Sequence, residues 1–125
     1  MSTIGCITHW LLPPVCCLCG APGIEPGFDL CEVCLALLPG TPRESVRPPV
    51  NISRVVVPYL YGYPVDHFVR ALKFRGERVY ARVLGRLMAR ACLKWHVRLP
   101  DVVVPVPLHR DRYRARGFNQ AHEIA

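Results

Sequence analysis

Four cysteines arranged in two pairs are the residues of this chain best suited to do chemistry. Each pair has two residues between its members, and eleven residues separate the second cysteine of the first pair from the first cysteine of the second. A C-x2-C turn presents two thiolates on one side of the backbone, and two such turns complete the tetrahedron that zinc prefers. The spacing predicts one structural zinc ion, with no open position for catalysis, held by Cys16, Cys19, Cys31 and Cys34.

Two alternatives to this assignment stay open. Cys17 lies inside the first turn and can replace a neighbour as ligand, although the paired spacing favours Cys16. The other alternative is a redox pair or a disulfide. A redox C-x2-C motif usually follows a strand and opens a helix, and neither pair is predicted to lie in that setting.

A second candidate site is an arginine-rich segment that follows a run of valines at 102–104. Ligands of open α/β sheets bind beyond the carboxyl ends of the strands. Guanidinium groups suit bidentate contacts with phosphate. We therefore predict a phosphate-binding loop, and a solvated basic loop without a ligand is the alternative. Its arginines are Arg110, Arg112, Arg114 and Arg116.

The overall charge of the chain agrees with an anionic partner. The 125 residues carry a formal net charge of +7, and all but two of the sixteen basic residues are arginine. Such a balance favours nucleic acid, phosphorylated metabolites or a membrane surface. No paired carboxylates and no nucleophile–base arrangement stand out, so the catalytic residues, if there are any, stay unknown from the sequence.

The compartment expected from the sequence is the cytoplasm. No run reaches the ~20 apolar residues of a membrane helix, and the N-terminus lacks the basic start and long apolar run of a signal peptide. Disulfides are uncommon in the cytoplasm. The seven cysteines then need an explanation other than disulfides, and metal binding supplies one for the four in pairs.

The elements that position these residues follow an α/β order. A zinc module with an apolar N-terminal segment is predicted over 1–45, a linker over 46–53 and a second domain over 54–125. Within the second domain, β-branched residues predict strands and apolar spacing predicts helices. A short helix is also predicted after Cys34. The order favours a parallel sheet, with strands at 54–61 and 101–107 and helices at 64–74, at 77–96 and from 115 onward.

Several segments, in this order, resemble the ComF family, a group of bacterial proteins linked to natural competence. The resemblance covers nearly the whole chain, and its last two segments are the most specific. The segments are Pro13-Pro14 before Cys16-x2-Cys19-Gly20, Leu30-Cys31-x2-Cys34, Leu72-Lys73-Phe74-x-Gly76, Asp101-Val-Val-Val-Pro-Val-Pro-Leu-His109 and Arg116-Gly-Phe-Asn-Gln120.

This resemblance implies a zinc-ribbon-like module followed by a type I phosphoribosyltransferase-like, Rossmann-like domain. In that fold the loop after 101–107 lies on the pyrophosphate side of the site. The family's ribose-phosphate signature, two acidic residues before a Thr/Gly-rich loop, does not occur in these residues. We therefore expect the first half of a family member. The implied phosphate- or DNA-binding residues are Lys73, Arg110, Arg112, Arg114, Arg116, Gly117, Asn119 and Gln120.

The function implied is the handling of single-stranded DNA during DNA uptake, with a competence helicase or other DNA-processing proteins as partners. One alternative is a phosphoribosyltransferase, which would bind its phosphoribosyl donor only in a full-length form. Whether the protein is an enzyme stays open. The other alternative is a protein-interaction module built on the zinc knuckles.

Overall fold

The computed structural model describes residues 13–24, 28–42 and 46–125. The chain divides into two compact units, Met1–Leu37 and Leu38–Ala125. The apolar segment predicted to precede the cysteines, residues 4–12, lies outside the described residues. The predicted linker at 46–53 stays a prediction.

The first unit contains one short helix among its described residues. Helix α1 spans Glu32–Ala36, a few residues earlier than the sequence predicted. It begins at Cys31, whose sulfur accepts the backbone N–H of Cys34 at 3.4 Å. A side-chain acceptor at this position satisfies one of the N–H groups that a helix start leaves unpaired. The second cysteine pair therefore opens a helix, contrary to the sequence-based expectation.

The second unit is built from helices. Helix α2 spans Val65–Arg70 and runs directly into a π-helical turn at Ala71–Arg75. Helix α3 spans Val79–Lys94, the longest element, as its apolar spacing predicted. Two short helices follow, α4 at Arg110–Arg116 and α5 at Gln120–Ile124. The arginine-rich segment predicted as a loop is thus helix α4.

The core of the second unit lies where α3 packs against α2, the π-helical turn and α5. Its largest fully buried side chains include Phe68, Leu72, Val83 and Leu87. Helix α5 comes very close to α3, since a Cβ added at Gly85 would lie 2.6 Å from the carbonyl oxygen of Ile124. Glycine at this position is what allows the two helices to approach.

The two predicted strands do not form within the described residues. Residues 54–61 meet the chain around Gly40 through one isolated antiparallel bridge at Tyr59. The valines of 101–107 are 63–79% exposed. Prolines 105 and 107 supply no N–H group, and at alternate positions they leave one edge of this segment without two donors. A β-rich composition cannot make a strand without a partner backbone, so the prediction of a sheet is wrong for the described residues.

The helices found in the described parts of the chain are too short or too polar to cross a bilayer.

Candidate functional site

The first cysteine pair lies in a tight backbone turn. Val15 and Pro22 form an antiparallel bridge, and inside it Cys16 donates its N–H to the carbonyl of Ala21 at 2.7 Å. The Cys16 carbonyl accepts the N–H of Gly20 at 2.9 Å. Gly20 has φ 76°, a left-handed conformation that a side chain would disfavour. This turn directs both thiols of the pair toward one point.

Backbone contacts then bring the second pair to the first. The N–H of Cys17 bonds to the backbone carbonyl of Asp29 at 2.9 Å, and the N–H of Ile24 bonds to that of Leu30 at 3.1 Å. Leu30 is fully buried, which fixes the chain just before Cys31. The start of α1 therefore lies beside the first turn.

All four predicted ligand sulfurs meet in one cluster. The sulfurs of Cys16, Cys19, Cys31 and Cys34 lie within 4.8 Å of one another, and Cys17 is not part of the group. The sulfurs of Cys19 and Cys31 are 3.6 Å apart. A tetrahedral zinc site with Zn–S bonds of about 2.3 Å has sulfurs about 3.8 Å apart. The four cysteines are thus close enough together to hold a metal ion such as zinc.

The thiols of the cluster differ in the direction in which their pKa values are shifted. Burial raises the pKa of Cys16, but the backbone N–H groups of Cys19, Cys31 and Leu18 outweigh it and lower that pKa to about 6. Burial, together with the neighbouring sulfurs, raises the pKa of Cys34. At Cys19 the backbone N–H of Ala21 favours the thiolate, but the net direction of the pKa is upward, because the sulfurs of Cys16 and Cys31 favour the thiol.

These pKa directions predict how many protons zinc displaces. A thiol must lose its proton to bind the ion. At pH 8 Cys16 is already a thiolate, so Cys19 and Cys34 account for at least two protons released per zinc. At pH 5, below the Cys16 pKa of about 6, the number rises by about one, and zinc affinity falls. Calorimetry in buffers of different ionisation enthalpy measures this count under conditions where circular dichroism shows that the metal-free first unit keeps its fold. Equal release at both pH values would contradict the assignment of Cys16 as the low-pKa ligand.

A separate group of cations lines an open cleft of about 500 Å³ in the second unit. The π-helical turn contributes Lys73 and Arg75, and α4 contributes Arg112 and Arg116. Arg112 and Arg116 are four residues apart, so they lie on one face of α4. No acidic side chain is among the described residues that line this space. We call it the basic cleft; its other lining residues are Phe74, Gly76, Ala115 and Phe118.

Two left-handed glycines end the elements that carry these cations. Gly76 follows the π-helical turn with φ 67°, and Gly117 follows α4 with φ 75°. The N–H of Gly117 bonds to the carbonyl of Tyr113 at 2.7 Å. Each glycine lets its helix stop sharply, as such C-caps commonly do. Both helix ends can therefore face the cleft.

An aromatic side chain holds Arg116 in place. Its guanidinium carbon lies 5.7 Å from the centre of the Phe74 ring, and its Nη1 donates to Oε1 of Gln120 at 3.1 Å. Phe74 itself is 75% exposed. Opposite it, Phe118 is buried beneath Arg78, whose guanidinium carbon lies 5.4 Å from the ring centre. The cleft thus combines fixed positive charge with an exposed aromatic ring.

The predicted phosphate-binding residues separate into three groups. Lys73, Arg112 and Arg116 line the cleft, whereas Arg110 and Arg114 are exposed residues of α4 that do not. Gly117 and Gln120 support it through the contacts above. Asn119 shapes the start of α5 by accepting the N–H of Ala121 and donating to the Val106 carbonyl, both at 3.0 Å.

The sequence-based assignment missed Phe74 and Arg75 as lining residues. Both belong to the motif Lys-Phe-Arg-Gly at residues 73–76, where an aromatic side chain lies between two cations. Arg75 also pairs with Glu77, its Nε 2.5 Å from Oε1 of the carboxylate. An aromatic residue beside cations was the signal that could have identified Phe74 and Arg75.

Known proteins similar to this chain are named for DNA utilisation and competence. DNA utilization protein YhgH of Salmonella typhimurium is 31% identical over 122 residues, covering 92% of this chain and 52% of the relative. Competence protein ComFC of Bacillus subtilis is 28% identical over 114 residues, covering 89% and 43%. Competence protein F of Haemophilus influenzae is 32% identical over 73 residues, covering 55% and 32%.

These relatives support a relationship to the ComF family. The similarity to YhgH and ComFC extends over most of this chain, and it supports a competence-related function. The chain spans about half the length of the curated relatives it matches. No protein-family model matches the chain, and no solved structure matches it.

Proposed function

We propose that this chain binds single-stranded DNA in the basic cleft and acts in DNA uptake or utilisation. The observation that carries the proposal is the pairing of four cations with the exposed Phe74 ring in one cleft. Proteins that bind single strands combine positive charge for the phosphates with aromatic rings on which bases stack. The names of the similar proteins, DNA utilization protein and competence protein, support a role of this kind.

The Phe74 ring favours a single strand over a duplex. Base faces are available for stacking only when the strand is unpaired, whereas phosphates are present in both forms. The structural zinc has a different part in the proposal. It stabilises the first unit through the four cysteines and takes no part in chemistry, because four protein ligands leave no open position.

Replacing Phe74 with alanine tests this function. We expect affinity for an oligo-dT strand to fall about five-fold or more, since stacking on an aromatic ring contributes about 1–3 kcal/mol per base. Affinity for a duplex of equal length should fall less, because Arg116 keeps its hydrogen bond to Gln120 when the ring is removed. Fluorescence anisotropy measures both. The fold should persist because the ring is 75% exposed.

Tyr113→Ala is the matched control for that substitution. Tyr113 is an aromatic residue of α4, 51% exposed, that does not line the cleft. Its removal should leave both affinities unchanged. Equal losses for single strand and duplex in the Phe74 variant would argue against stacking. No loss in either would show that Phe74 takes no part in DNA binding.

A phosphoribosyltransferase-like activity is the second candidate, and the cations of the cleft favour it. Two of them, Arg112 and Arg116, follow the valine-rich segment at 101–107, where the resemblance to the ComF family implies the pyrophosphate side of the site. The donor-binding half would then lie in a longer form of the protein. Turnover of a phosphoribosyl donor by a form as long as the relatives would support this activity, and its absence there would exclude it.

The zinc knuckles offer a third candidate, a contact with partner proteins such as those that process DNA. Val33 and Leu37 of the first unit are four residues apart and 70% and 56% exposed. Apolar contacts of this kind respond little to salt, whereas DNA binding weakens steeply with salt. A salt titration of any partner complex therefore distinguishes the two modes.

A further inference from the structure

A second group of arginines lies around Trp95, at the end of α3. Two adjoining spaces of about 470 and 410 Å³ share Ser53, Arg54, Val56 and Val97 among their linings, so they form one groove. Ligand pockets for small molecules have volumes of about 300–1,000 Å³. We call this space the Trp95 groove; its polar and aromatic lining residues are Arg47, Ser53, Arg54, Trp95 and Arg98.

The chemistry of the groove matches a nucleotide. Three guanidinium groups line it, and no acidic side chain is among the described residues that do so. Arginine suits the oxygens of a phosphate, and an indole ring suits the face of a base. Valine side chains, among them Val56 and Val97, supply the apolar part of the lining.

The C-terminal cap of α3 fixes the position of Trp95 and Val97. His96 between them has φ 52°, a left-handed conformation that is uncommon for a residue with a side chain. Three contacts hold it there. His96 Nδ1 lies 3.2 Å from the Leu93 carbonyl oxygen, and the N–H groups of His96 and Val97 bond to Leu93 and Cys92 at 3.1 and 2.9 Å. The two N–H bonds are those of a Schellman cap, in which a left-handed residue ends the helix, so the cap sets where Trp95 and Val97 lie at the groove.

We propose that the Trp95 groove binds one nucleotide, with the base against the Trp95 indole and the phosphate on the arginines. The groove lies at one end of α3, and Arg78, which covers Phe118 of the basic cleft, lies at the other. Sixteen helical residues span about 24 Å, or about seven stacked nucleotides at about 3.4 Å each. A strand of about twelve nucleotides, seven along α3 and two or three more at each end, is long enough to reach both sites at this spacing, and this part of the proposal rests on the proposed function.

The test uses the fluorescence of Trp95 in the full 125-residue chain. Trp10→Phe leaves Trp95 as the single tryptophan. Titration with deoxythymidine monophosphate and with a twelve-residue oligo-dT should quench Trp95 emission in at least one case. Quenching by the mononucleotide identifies a site for free nucleotides. Quenching by the oligonucleotide alone identifies a nucleotide within a strand.

Two further changes, each made in the Trp10→Phe chain, test the arginines of the groove. Arg54→Gln combined with Arg98→Gln should lower the affinity for the ligand that quenches Trp95 about five-fold or more. Lys94→Gln, a neighbouring exposed cation that does not line the groove, should leave its affinity unchanged. Circular dichroism establishes that α3 persists in both.

The outcomes separate this proposal from the proposed function. An oligonucleotide that binds by anisotropy but leaves Trp95 emission unchanged overturns the groove and leaves the basic cleft in place. Equal effects of the two arginine changes and Lys94→Gln also overturn it. If substitutions in the basic cleft leave DNA affinity intact while Trp95 is still quenched, the groove stands and the proposed role of the cleft fails.

Discussion

Serine in place of Cys31 is expected to abolish the binding of zinc and to unfold the first unit, Met1–Leu37. Cys31 has two roles here, since its sulfur belongs to the cluster of four and accepts the first N–H bond of α1. Structural zinc contributes about 10–16 kcal/mol in small zinc-finger peptides at pH 7. Phe28 and Leu30 are the main large apolar side chains buried among the described residues of this unit, so little else stabilises it.

Metal analysis after dialysis and the reactivity of the remaining thiols measure this effect. The purified wild-type chain should retain one zinc ion, and the Cys31→Ser variant should retain close to none while its other thiols react rapidly. Cys17→Ser is the matched control because Cys17 adjoins a ligand but lies outside the cluster. It should keep its zinc. A Cys31 variant with full metal content would show that these cysteines do not form the site.

The second large effect is expected from Arg112→Ala combined with Arg116→Ala. Both side chains line the basic cleft on one face of α4. We expect affinity for single-stranded DNA to fall about ten-fold or more, a loss of at least about 1.4 kcal/mol. Log K falls with log salt, and each lost phosphate contact makes this slope shallower by about 0.7 for a single strand. The double variant should therefore show a salt slope that is shallower by about 1.4.

Arg110→Ala combined with Arg114→Ala is the control for this experiment. It removes the same charge from the same helix, but neither residue lines the cleft. Anisotropy titrations at several salt concentrations compare the two. If both double variants lose affinity equally, the net charge of the chain and not the cleft governs binding. If neither does, α4 takes no part.

Local patterns in the sequence predicted those features that depend on nearby residues. The spacing of the cysteines was enough to identify the cluster of four, because each turn is formed by residues close in sequence. The apolar repeat along 77–96 predicted α3, although Tyr80 and Ala81 are also buried and Met88 is 40% exposed. Capping explains α4, where the side chain of His109 accepts the N–H of Asp111 at 3.4 Å.

Features that depend on distant residues could not be predicted in this way. The run Val102–Val104 has strand-like composition, but a strand forms only when another backbone pairs with it. The basic cleft joins Lys73 to Arg116 across 43 positions, and neither local motif shows that the residues 73–76 lie beside α4. Only the fold showed that alternate arginines of α4 face different surroundings.

The π-helical turn at Ala71–Arg75 makes the basic cleft depend on the number of residues in that turn. A π turn holds one residue more than an α-helical turn, and helical side chains change direction by about 100° per residue. Deleting a single residue there would let α2 continue as a regular helix while turning Phe74 and Arg75 away from Arg116. Among homologous sequences, a gap of one position in this turn would therefore mark proteins that have lost the cleft while keeping every other helix.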